Sequence, residues 1–284
     1  MPEGHTIHRL AEDYLAHFGG RQAQVTSPQG KFTDAAALLN GTALTAAEAH
    51  GKHLFLRFEN EDWIHIHLGL FGKVTFGEPP SGEANPGQPT SGPTGGAPRT
   101  DTIRLRLAND TAYVDLRGPT TCTLITDAEK QAIHDRLGPD PLREDAEPAR
   151  AYTRISRSRT TIAALLMDQK IIAGVGNVYR AEVLFRHGID PYRTGKDITR
   201  TEWDAMWTDL VALMREGVRN NRIDTVRPEH EPDVMGRPPR EDDHGGEVYV
   251  YRRANLPCHI CGGEIRTADL AARNLFWCPA CQQA

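Results

Sequence analysis

Four cysteines near the end of the chain restrict its fold more than any other feature of the sequence. They form two C-x2-C pairs separated by sixteen residues: Cys258, Cys261, Cys278 and Cys281. This spacing is typical of a four-thiolate tetrahedral zinc site, because both sulfurs of each pair can face one ion. With all positions taken by protein ligands, we expect one structural zinc ion. The alternative is two disulfides, which require an oxidising compartment.

The composition is that of a globular protein with no membrane segment. The 284 residues are enough for two modest domains or one large domain, and 39% of them are hydrophobic. No apolar run approaches the ~18 residues of a membrane helix. The amino terminus lacks the basic and apolar segments of a secretion signal. We therefore expect a cytoplasmic protein.

The net charge of -5 is not typical of a nucleic-acid-binding protein, but the charges are unevenly distributed. Residues 151–200 contain nine Lys or Arg against four acidic residues, a local charge of +5. Such a segment permits a basic groove for nucleic acid. The alternative is a basic face that is merely solvated.

The first half of the sequence predicts one helix followed by β-strands. Apolar residues from Ile7 to Phe18 recur at helical spacing. Residues 53–58 and 63–68 flank a polar turn and predict a hairpin, and apolar residues alternate with arginines over 103–107. We expect a β-sandwich or barrel. Residues 78–100 are rich in Pro, Gly and Ser and predict a flexible insertion.

The second half predicts helices. Thr126 and Glu129 form a capping box that opens a helix ended by Gly138. Further helices are predicted over 161–170, from Asn177 to 187, and over 201–217, followed by a loop over 219–247.

A glycine turn at Gly174 and Gly176 joins two of these helices, with Asn177 at the start of the second. Backbone N–H groups at a helix start can bind phosphate, and an amide side chain can add a donor. The alternative is that Asn177 simply caps the helix.

The chain begins Met1-Pro2-Glu3. Removal of the initiator methionine would expose a secondary amine at Pro2, which could form an iminium with an aldehyde-like sugar carbon. The reference pKa of an α-amino group is ~7.7–8.0, so a usable fraction is neutral at physiological pH. Glu3 could move protons beside it. Taken alone, this start is a common coincidence.

Together, these motifs resemble the formamidopyrimidine-DNA glycosylase / endonuclease VIII family. Met1-Pro2-Glu3-Gly4, Gly51-Lys52, His67-Leu68-Gly69, the helix-turn-helix over 168–185 and the four-cysteine finger occur in the family's order. The resemblance spans the whole chain except residues 77–99 and 219–247. The opening Met-Pro-Glu-Gly is closer to the endonuclease VIII branch.

The resemblance implies roles for individual residues. Pro2 matches the Schiff-base nucleophile and Glu3 matches the acid that helps open the deoxyribose ring. Lys52 matches a lysine that contacts phosphate and donates a proton in β-elimination, although without the resemblance it would pass for an ordinary surface lysine. Asn177 matches a phosphate-binding asparagine, and Arg273 matches the finger arginine of phosphate binding and δ-elimination.

Several positions depart from the family pattern. Thr6 stands where a second glutamate is usual, and Ala163 stands where a lysine is common. Leu70 replaces a frequent methionine among the DNA-binding residues that fill the gap left by an extruded base. An Arg-Phe pair is not evident after Asp115, where Arg117-Gly118-Pro119 follows. These changes bear on base excision and lesion choice more than on lyase chemistry.

The sequence and the resemblance together predict an α+β fold in three parts. Residues 1–125 form an N-terminal catalytic β-sandwich with a leading helix, residues 126–247 a helix-two-turn-helix DNA-binding domain, and residues 248–284 the zinc finger. We expect a monomeric, nucleoid-associated enzyme that binds damaged double-stranded DNA in the cleft between the domains.

The predicted activity is that of a bifunctional DNA glycosylase and abasic-site lyase of base excision repair, with oxidised pyrimidines preferred. One alternative is an oxidised-purine glycosylase. Another is a largely non-catalytic lesion-binding protein, against which the presence of Pro2, Glu3 and Lys52 together argues.

Overall fold

The computed structural model describes residues 2–79, 100–241 and 246–283. The chain separates into two compact units. The N-terminal unit contains residues 1–2 and 10–134, and the C-terminal unit contains residues 3–9 and 135–284. Of the insertion predicted at 78–100, residues 80–99 lie outside the described residues. Within the described ranges, no helix has the length and apolar character needed to cross a membrane.

The N-terminal unit contains two four-stranded antiparallel sheets. One sheet has the order β1 (Gln24–Thr26), β6 (Ile103–Ala108), β7 (Tyr113–Arg117), β5 (Lys73–Gly77). The other has the order β2 (Leu44–His50), β3 (His53–Phe58), β4 (Trp63–His67), β8 (Thr121–Ile125).

Alternating side chains explain why these segments form sheets. In β6, Ile103, Leu105 and Leu107 are buried, whereas the residues between them are partly exposed. This alternation gives the sheet that contains β6 an apolar face, as the period of two in a strand requires. In the other sheet, β3 and β4 bury consecutive residues, so both of their faces are covered. The predicted N-terminal β-sandwich is confirmed.

Among the described residues, the sheets are accompanied by α1 (Gly4–Phe18), α2 (Thr33–Leu39) and α3 (Asp127–Arg136). The first six residues of α1 and the last two of α3 belong to the C-terminal unit. The predicted leading helix is confirmed as α1, which buries Tyr14 and Phe18 completely. The capping box of α3 is also confirmed, since the Thr126 N–H donates to the Glu129 carboxylate at 2.8 Å. The sequence did not predict α2.

The C-terminal unit is mainly helical. Its helices are α4 (Pro148–Ile155), α5 (Ile162–Leu165), α6 (Asn177–Arg186), α7 (Arg200–Asn220) and α8 (Pro232–Met235). The helix predicted over 161–170 was wrong beyond Leu165. There the Asp168 carboxylate accepts from the Lys170 N–H at 2.9 Å, because a short polar side chain competes with the helical backbone.

Of the loop predicted over 219–247, residues 242–245 lie outside the described residues, and the described part contains more structure than expected. α7 extends to Asn220, and Pro228–His230 forms a 3₁₀ turn before α8. The Asp224 carboxylate accepts from the Glu247 N–H at 2.9 Å, which ties the two ends of the segment together.

A two-stranded hairpin, β9 (Arg266–Leu270) and β10 (Arg273–Trp277), ends the unit. Leu275 of β10 and Ile265, which directly precedes β9, are fully buried in the same core as Trp203 of α7 and Tyr179 of α6. The predicted helical region and zinc-finger hairpin of the fold are therefore confirmed.

Candidate active site and metal centre

The four predicted zinc ligands meet at one point. One ligand atom of each of Cys258, Cys261, Cys278 and Cys281 lies within 4.8 Å of the others. The Sγ atoms of Cys258 and Cys281 are 3.9 Å apart, and those of Cys261 and Cys278 are 3.5 Å apart. Sulfurs ~2.3 Å from a tetrahedral zinc ion would be about 3.8 Å apart, so the geometry fits the ion. These separations far exceed a disulfide bond of about 2.05 Å.

Backbone donors complete the metal centre. The N–H groups of Ile260 and Gly263 point at the sulfurs of Cys258 and Cys261, each at 3.4 Å. Such donors stabilise thiolate charge, as outer hydrogen bonds commonly do at metal sites. Four protein sulfurs leave no open position for substrate, so the zinc is structural.

Glu3 is fully buried at the amino-terminal end of α6. Its carboxylate accepts from the N–H groups of Gly176 and Val178 at 2.8 Å, and from that of Tyr179 at 3.4 Å. Unpaired N–H groups and the helix dipole favour negative charge at this place. The sequence marked Glu3 as a candidate acid but gave no sign that it would bind a helix 173 residues away.

The glycine turn makes this contact sterically possible. A Cβ atom on Gly176 would lie 2.4 Å from the Glu3 side chain, which is closer than two carbon atoms can approach. Gly4 donates its N–H to the Gly174 carbonyl at 2.8 Å, and Gly174 has a φ of +88°. The turn therefore serves to hold residues 3 and 4 against α6.

Asn177 does not act as the helix cap, so the capping alternative was wrong. The capping position is Gly176, and the Asn177 amide donates to the Asn274 carbonyl of β10 at 2.9 Å. Its Oδ1 atom accepts from the Arg180 guanidinium. Asn177 thus links α6 to the zinc hairpin one residue from Arg273.

Arg180 is a charged residue of this site that sequence reasoning missed. It is fully buried and also donates to the Asn274 carbonyl at 3.2 Å. Its Nε and Nη1 atoms have no hydrogen-bond partner among the described residues. Burial, assisted by the charge of Arg273, lowers the pKa of Arg180 to about 10. The signal in the sequence was an arginine at the third position after Asn177, on a helix whose other residues are mainly apolar.

Arg273 follows a two-residue turn in which Ala271 and Ala272 have φ values of +54° and +56°. Two positive φ angles are the pattern of a type I′ hairpin turn, and alanine adopts them only with strain. The Arg273 guanidinium donates to the Ala272 carbonyl at 2.8 Å. The C-terminal unit thus places Glu3 and Asn177 at the start of α6, with Arg273 next in the chain to Asn274, whose carbonyl accepts from Asn177.

In the N-terminal unit, Lys52 lies in the two-residue turn between β2 and β3. Gly51 has a φ of +59°, and His50 pairs with His53 across the hairpin. A glycine at the first turn position is the pattern of a type II′ turn, which matches the twist of the strands. The half-buried Lys52 is thereby placed at the tip of a rigid hairpin.

A second turn of the N-terminal unit presents apolar residues to solvent. The Gly72 N–H donates to the Leu68 carbonyl at 3.0 Å, which closes a tight turn between β4 and β5. At its tip, Leu70 is 51% exposed and Phe71 is 86% exposed. Two large apolar side chains exposed together indicate a binding surface. The sequence pointed to Leu70, but Phe71 became evident only from its exposure.

The remaining candidate positions lie at the amino terminus. Pro2 is half-buried and directly precedes Glu3. Thr6, which replaces a glutamate of the family pattern, contacts the His5 ring at 3.2 Å. Burial lowers the pKa of His5 to about 4, so this ring is neutral at physiological pH.

Family models match three successive parts of the chain. Residues 1–122 match the formamidopyrimidine-DNA glycosylase N-terminal domain, and residues 137–227 match the formamidopyrimidine-DNA glycosylase H2TH domain. Residues 255–284 match the zinc finger found in FPG and IleRS.

Relatives match over their full length. A Mycobacterium tuberculosis protein named endonuclease 8 1 is 50% identical, over 99% of this chain and 100% of that protein. A formamidopyrimidine-DNA glycosylase of Photorhabdus laumondii is 28% identical, over 99% of this chain and 98% of that protein.

Solved structures share the fold. The MutM (Fpg) protein of Thermus thermophilus has a TM-score of 0.72 and 24% identity, over 99% of this chain and 98% of that one. The Lactococcus lactis formamidopyrimidine-DNA glycosylase non-covalently bound to abasic-site DNA has a TM-score of 0.74 and 17% identity. The match covers 99% of this chain and 100% of that one.

Proposed function

The chain belongs to the formamidopyrimidine-DNA glycosylase / endonuclease VIII family of DNA N-glycosylases and abasic-site lyases, and we propose that it excises oxidised bases, pyrimidines before purines. The enzyme would then cut the strand at the abasic site through a Schiff base on Pro2. The observation that carries the proposal is the anchoring of Glu3 on α6, because it fixes the backbone that follows the Pro2 nucleophile.

The proposed reaction begins with the neutral amine of Pro2. Its lone pair attacks C1′ of the extruded nucleotide, and the damaged base leaves as the sugar ring opens to an iminium. Loss of a C2′ proton then expels the 3′ phosphate, and a second elimination releases the 5′ phosphate. Attack of water on the remaining iminium releases the sugar fragment as an aldehyde and regenerates the amine of Pro2.

Glu3 has two tasks in this proposal. Its carboxylate, held by backbone donors at a helix start, stabilises the positive iminium electrostatically. Protonation of the sugar ring oxygen by Glu3 is carried over from the family. The hydrogen-bond network supports the electrostatic role, because the backbone donors fix the position of the carboxylate before substrate binds.

The clamp on the DNA backbone would use residues of both units. Asn177 and Arg273 would bind phosphate, with Arg180 orienting the Asn177 amide because a guanidinium can only donate to its oxygen. Lys52 would contact phosphate and supply a proton during elimination. These contacts position the duplex without reading its sequence.

Leu70 and Phe71 would enter the space left by the extruded base. Apolar side chains inserted into a duplex unstack neighbouring bases, which costs a few kcal/mol per step. A turn closed by the Gly72–Leu68 hydrogen bond can support such a wedge because it does not have to be ordered on binding.

The preference for oxidised pyrimidines rests on the greater identity to the endonuclease 8 relative, 50% against 28% for the formamidopyrimidine-DNA glycosylase. We place the enzyme in the cytoplasm on nucleoid DNA, as a monomer. The reduced thiolates of the zinc centre suit a reducing compartment.

Borohydride trapping tests the proposal. The protein is mixed with duplexes that contain an abasic site, thymine glycol or 8-oxoguanine, and borohydride reduces the iminium to a stable amine adduct. We expect adducts with the abasic and thymine glycol duplexes. An adduct with 8-oxoguanine in preference to thymine glycol would favour the oxidised-purine alternative, and no adduct with any duplex would exclude the lyase.

A further inference from the structure

The N-terminal unit gathers a group of histidines at the foot of the turn that carries Lys52. They come from β2, β3, β4 and α3, and we call them the histidine cluster: His50, His53, His65, His67 and His134. The proposed reaction assigns none of them a role.

His53 lies at the centre of the cluster. It pairs with His50 across one hairpin and with His67 across the next, so the three side chains share one face of the sheet. Its Nδ1 atom is 2.8 Å from Nε2 of His65. From α3, His134 packs edge-on against His50 with 4.8 Å between ring centroids.

The hydrogen bond between His53 and His65 limits how many protons the pair can hold. One ring must donate and the other must accept, so at least one ring must be neutral. Burial, reinforced by the other four histidines, lowers the pKa of His53 to about 3. Burial and the charge of Lys52 also lower the pKa of His67.

Two lysines and one glutamate face the cluster, and the charge of Lys52 opposes its protonation. Lys52 faces it from the turn and Lys130 from α3, where the Lys130 ammonium lies 5.8 Å from the Phe55 ring centroid. Glu48 faces it from β2, but its carboxylate is already paired with Lys130 at 2.6 Å. β8 contributes Thr121 and Thr123, which do not titrate in this range.

We propose that the histidine cluster positions Lys52 for elimination and releases it in acid. While the rings are neutral, the His53–His65 bond holds the first residue after Lys52 and so fixes the turn. When protons enter the cluster, the bond breaks and new positive charge repels the Lys52 ammonium. His53 is thus a positioning residue, and the inference rests on the lyase function proposed above.

The sign of the pH effect follows from the direction of these shifts. A histidine whose pKa is lowered by folding takes up its proton more readily in the unfolded chain. Its stabilising effect is therefore complete above the unfolded value of ~6.5 and is lost progressively as the pH falls below it. Opening of the Lys52 turn should therefore become progressively more favourable as the pH falls from ~6.5 towards about 3, the pKa of His53 in the folded chain.

His53→Gln provides the test, because an amide can still hydrogen-bond to His65 but does not titrate. Single-turnover elimination on a duplex with a preformed abasic site is measured from pH 5 to pH 8. Borohydride trapping and thermal unfolding are followed in the same samples. His17→Gln is the matched control, since His17 is an exposed histidine of the same unit outside the cluster.

The wild-type elimination rate should fall below pH ~6.5 more steeply than trapping does. At pH 7.5, His53→Gln should eliminate at about the wild-type rate. The ratio of its rates at pH 7.5 and pH 5.5 should be smaller than the wild-type ratio by about threefold or more. His53→Ala should lose ~10-fold in elimination at pH 7.5 with trapping retained, because a displaced catalytic group costs rate. His17→Gln should match the wild type.

Three results would overturn the inference. His53→Gln could follow the wild-type pH profile, which would show that the cluster only packs. Folded His53→Ala could eliminate at the wild-type rate. A second zinc ion per chain that disappears in His53→Gln would make the cluster a metal site. Absence of any trapped adduct in the wild type is a separate outcome, which would remove the proposed lyase itself.

Discussion

The two units hold their candidate functional residues in opposite ways. In the N-terminal unit, Lys52, Leu70 and Phe71 stand on tight turns and are partly or largely exposed. In the C-terminal unit, Glu3 and Arg180 are fully buried within hydrogen-bond networks. Substitutions at the turn residues can therefore change function with little effect on folding stability. The buried residues contribute to function and to folding stability together.

This contrast predicts two classes of variant. Changes on the exposed turns should reduce activity or binding while stability stays constant, because surface substitutions usually alter stability by less than ~0.5 kcal/mol. Changes in the buried network should lower both together. The predictions below test this division, beginning with the largest effect.

Blocking the amine of Pro2 should abolish the chemistry. A protein that retains Met1 or carries an uncleaved amino-terminal tag has an amide in place of the nucleophile, and strand cleavage should fall by ~1000-fold or more. Zinc content, melting temperature and abasic-DNA affinity should not change. Cleavage at the wild-type rate would instead show that the nucleophile is an internal lysine, and Lys52 would be the first candidate.

Loss of one zinc ligand should have the largest effect on stability. Cys278 is fully buried, and Cys278→Ser should release the ion and destabilise the zinc hairpin by several kcal/mol, since structural zinc contributes ~10–16 kcal/mol in isolated fingers. Elemental analysis and DNA titration measure the result. Serine at the exposed Cys261 offers a comparison with the same chemistry and less burial. Soluble, DNA-binding wild-type protein without zinc would contradict the prediction.

Glu3→Gln should lower stability and activity at once. The substitution removes a charged acceptor from backbone N–H donors, and bonds to charged groups contribute ~1.5–3 kcal/mol each. We expect a loss of roughly 2–4 kcal/mol in urea unfolding. Base removal should fall steeply, while cleavage at preformed abasic sites should fall less.

The control for Glu3→Gln is Glu12→Gln, an exposed position on α1, which should change neither property. Unchanged unfolding of Glu3→Gln would show that the buried network does not stabilise the C-terminal unit, and the contrast between the units would fail.

Removing the exposed apolar side chains of Leu70 and Phe71 should weaken DNA binding without changing thermal stability. The double variant Leu70→Ala, Phe71→Ala should bind lesion duplexes ~10-fold more weakly, because inserted apolar side chains compensate for lost base stacking. Its melting temperature should match that of the wild type. Leu38→Ala removes another exposed leucine of the N-terminal unit, 64% exposed, and should leave binding intact. Equal effects of both variants would indicate nonspecific hydrophobic contact.

Arg273→Ala should give the smallest effect and identify a single phosphate contact. Affinity should weaken equally for lesion and undamaged duplexes, and the slope of log K against log salt should become shallower by about one contact. Fluorescence titration at several salt concentrations measures this slope. A change of lesion preference at constant affinity would assign Arg273 to base recognition instead.

The amino-acid sequence alone determined those features whose physics is local. Two C-x2-C pairs specify the zinc centre, and alternating residues such as Ile103, Leu105 and Leu107 specify strands, because each pattern repeats with the geometry of its element. Local patterns also misled: the helix predicted over 161–170 ends at Leu165, since the Asp168 side chain accepts from a nearby backbone N–H, and no pattern predicted α2.

Only the tertiary structure decided which partners these residues meet. Glu3 binds N–H groups 173 and 175 residues away, and Asn177 bonds to a carbonyl 97 residues away. No local pattern encodes such contacts, because they depend on how separate elements pack. The exposure of Phe71, the burial of Arg180 and the meeting of five histidines beneath Lys52 arise in the same way, from neighbours that folding alone brings together.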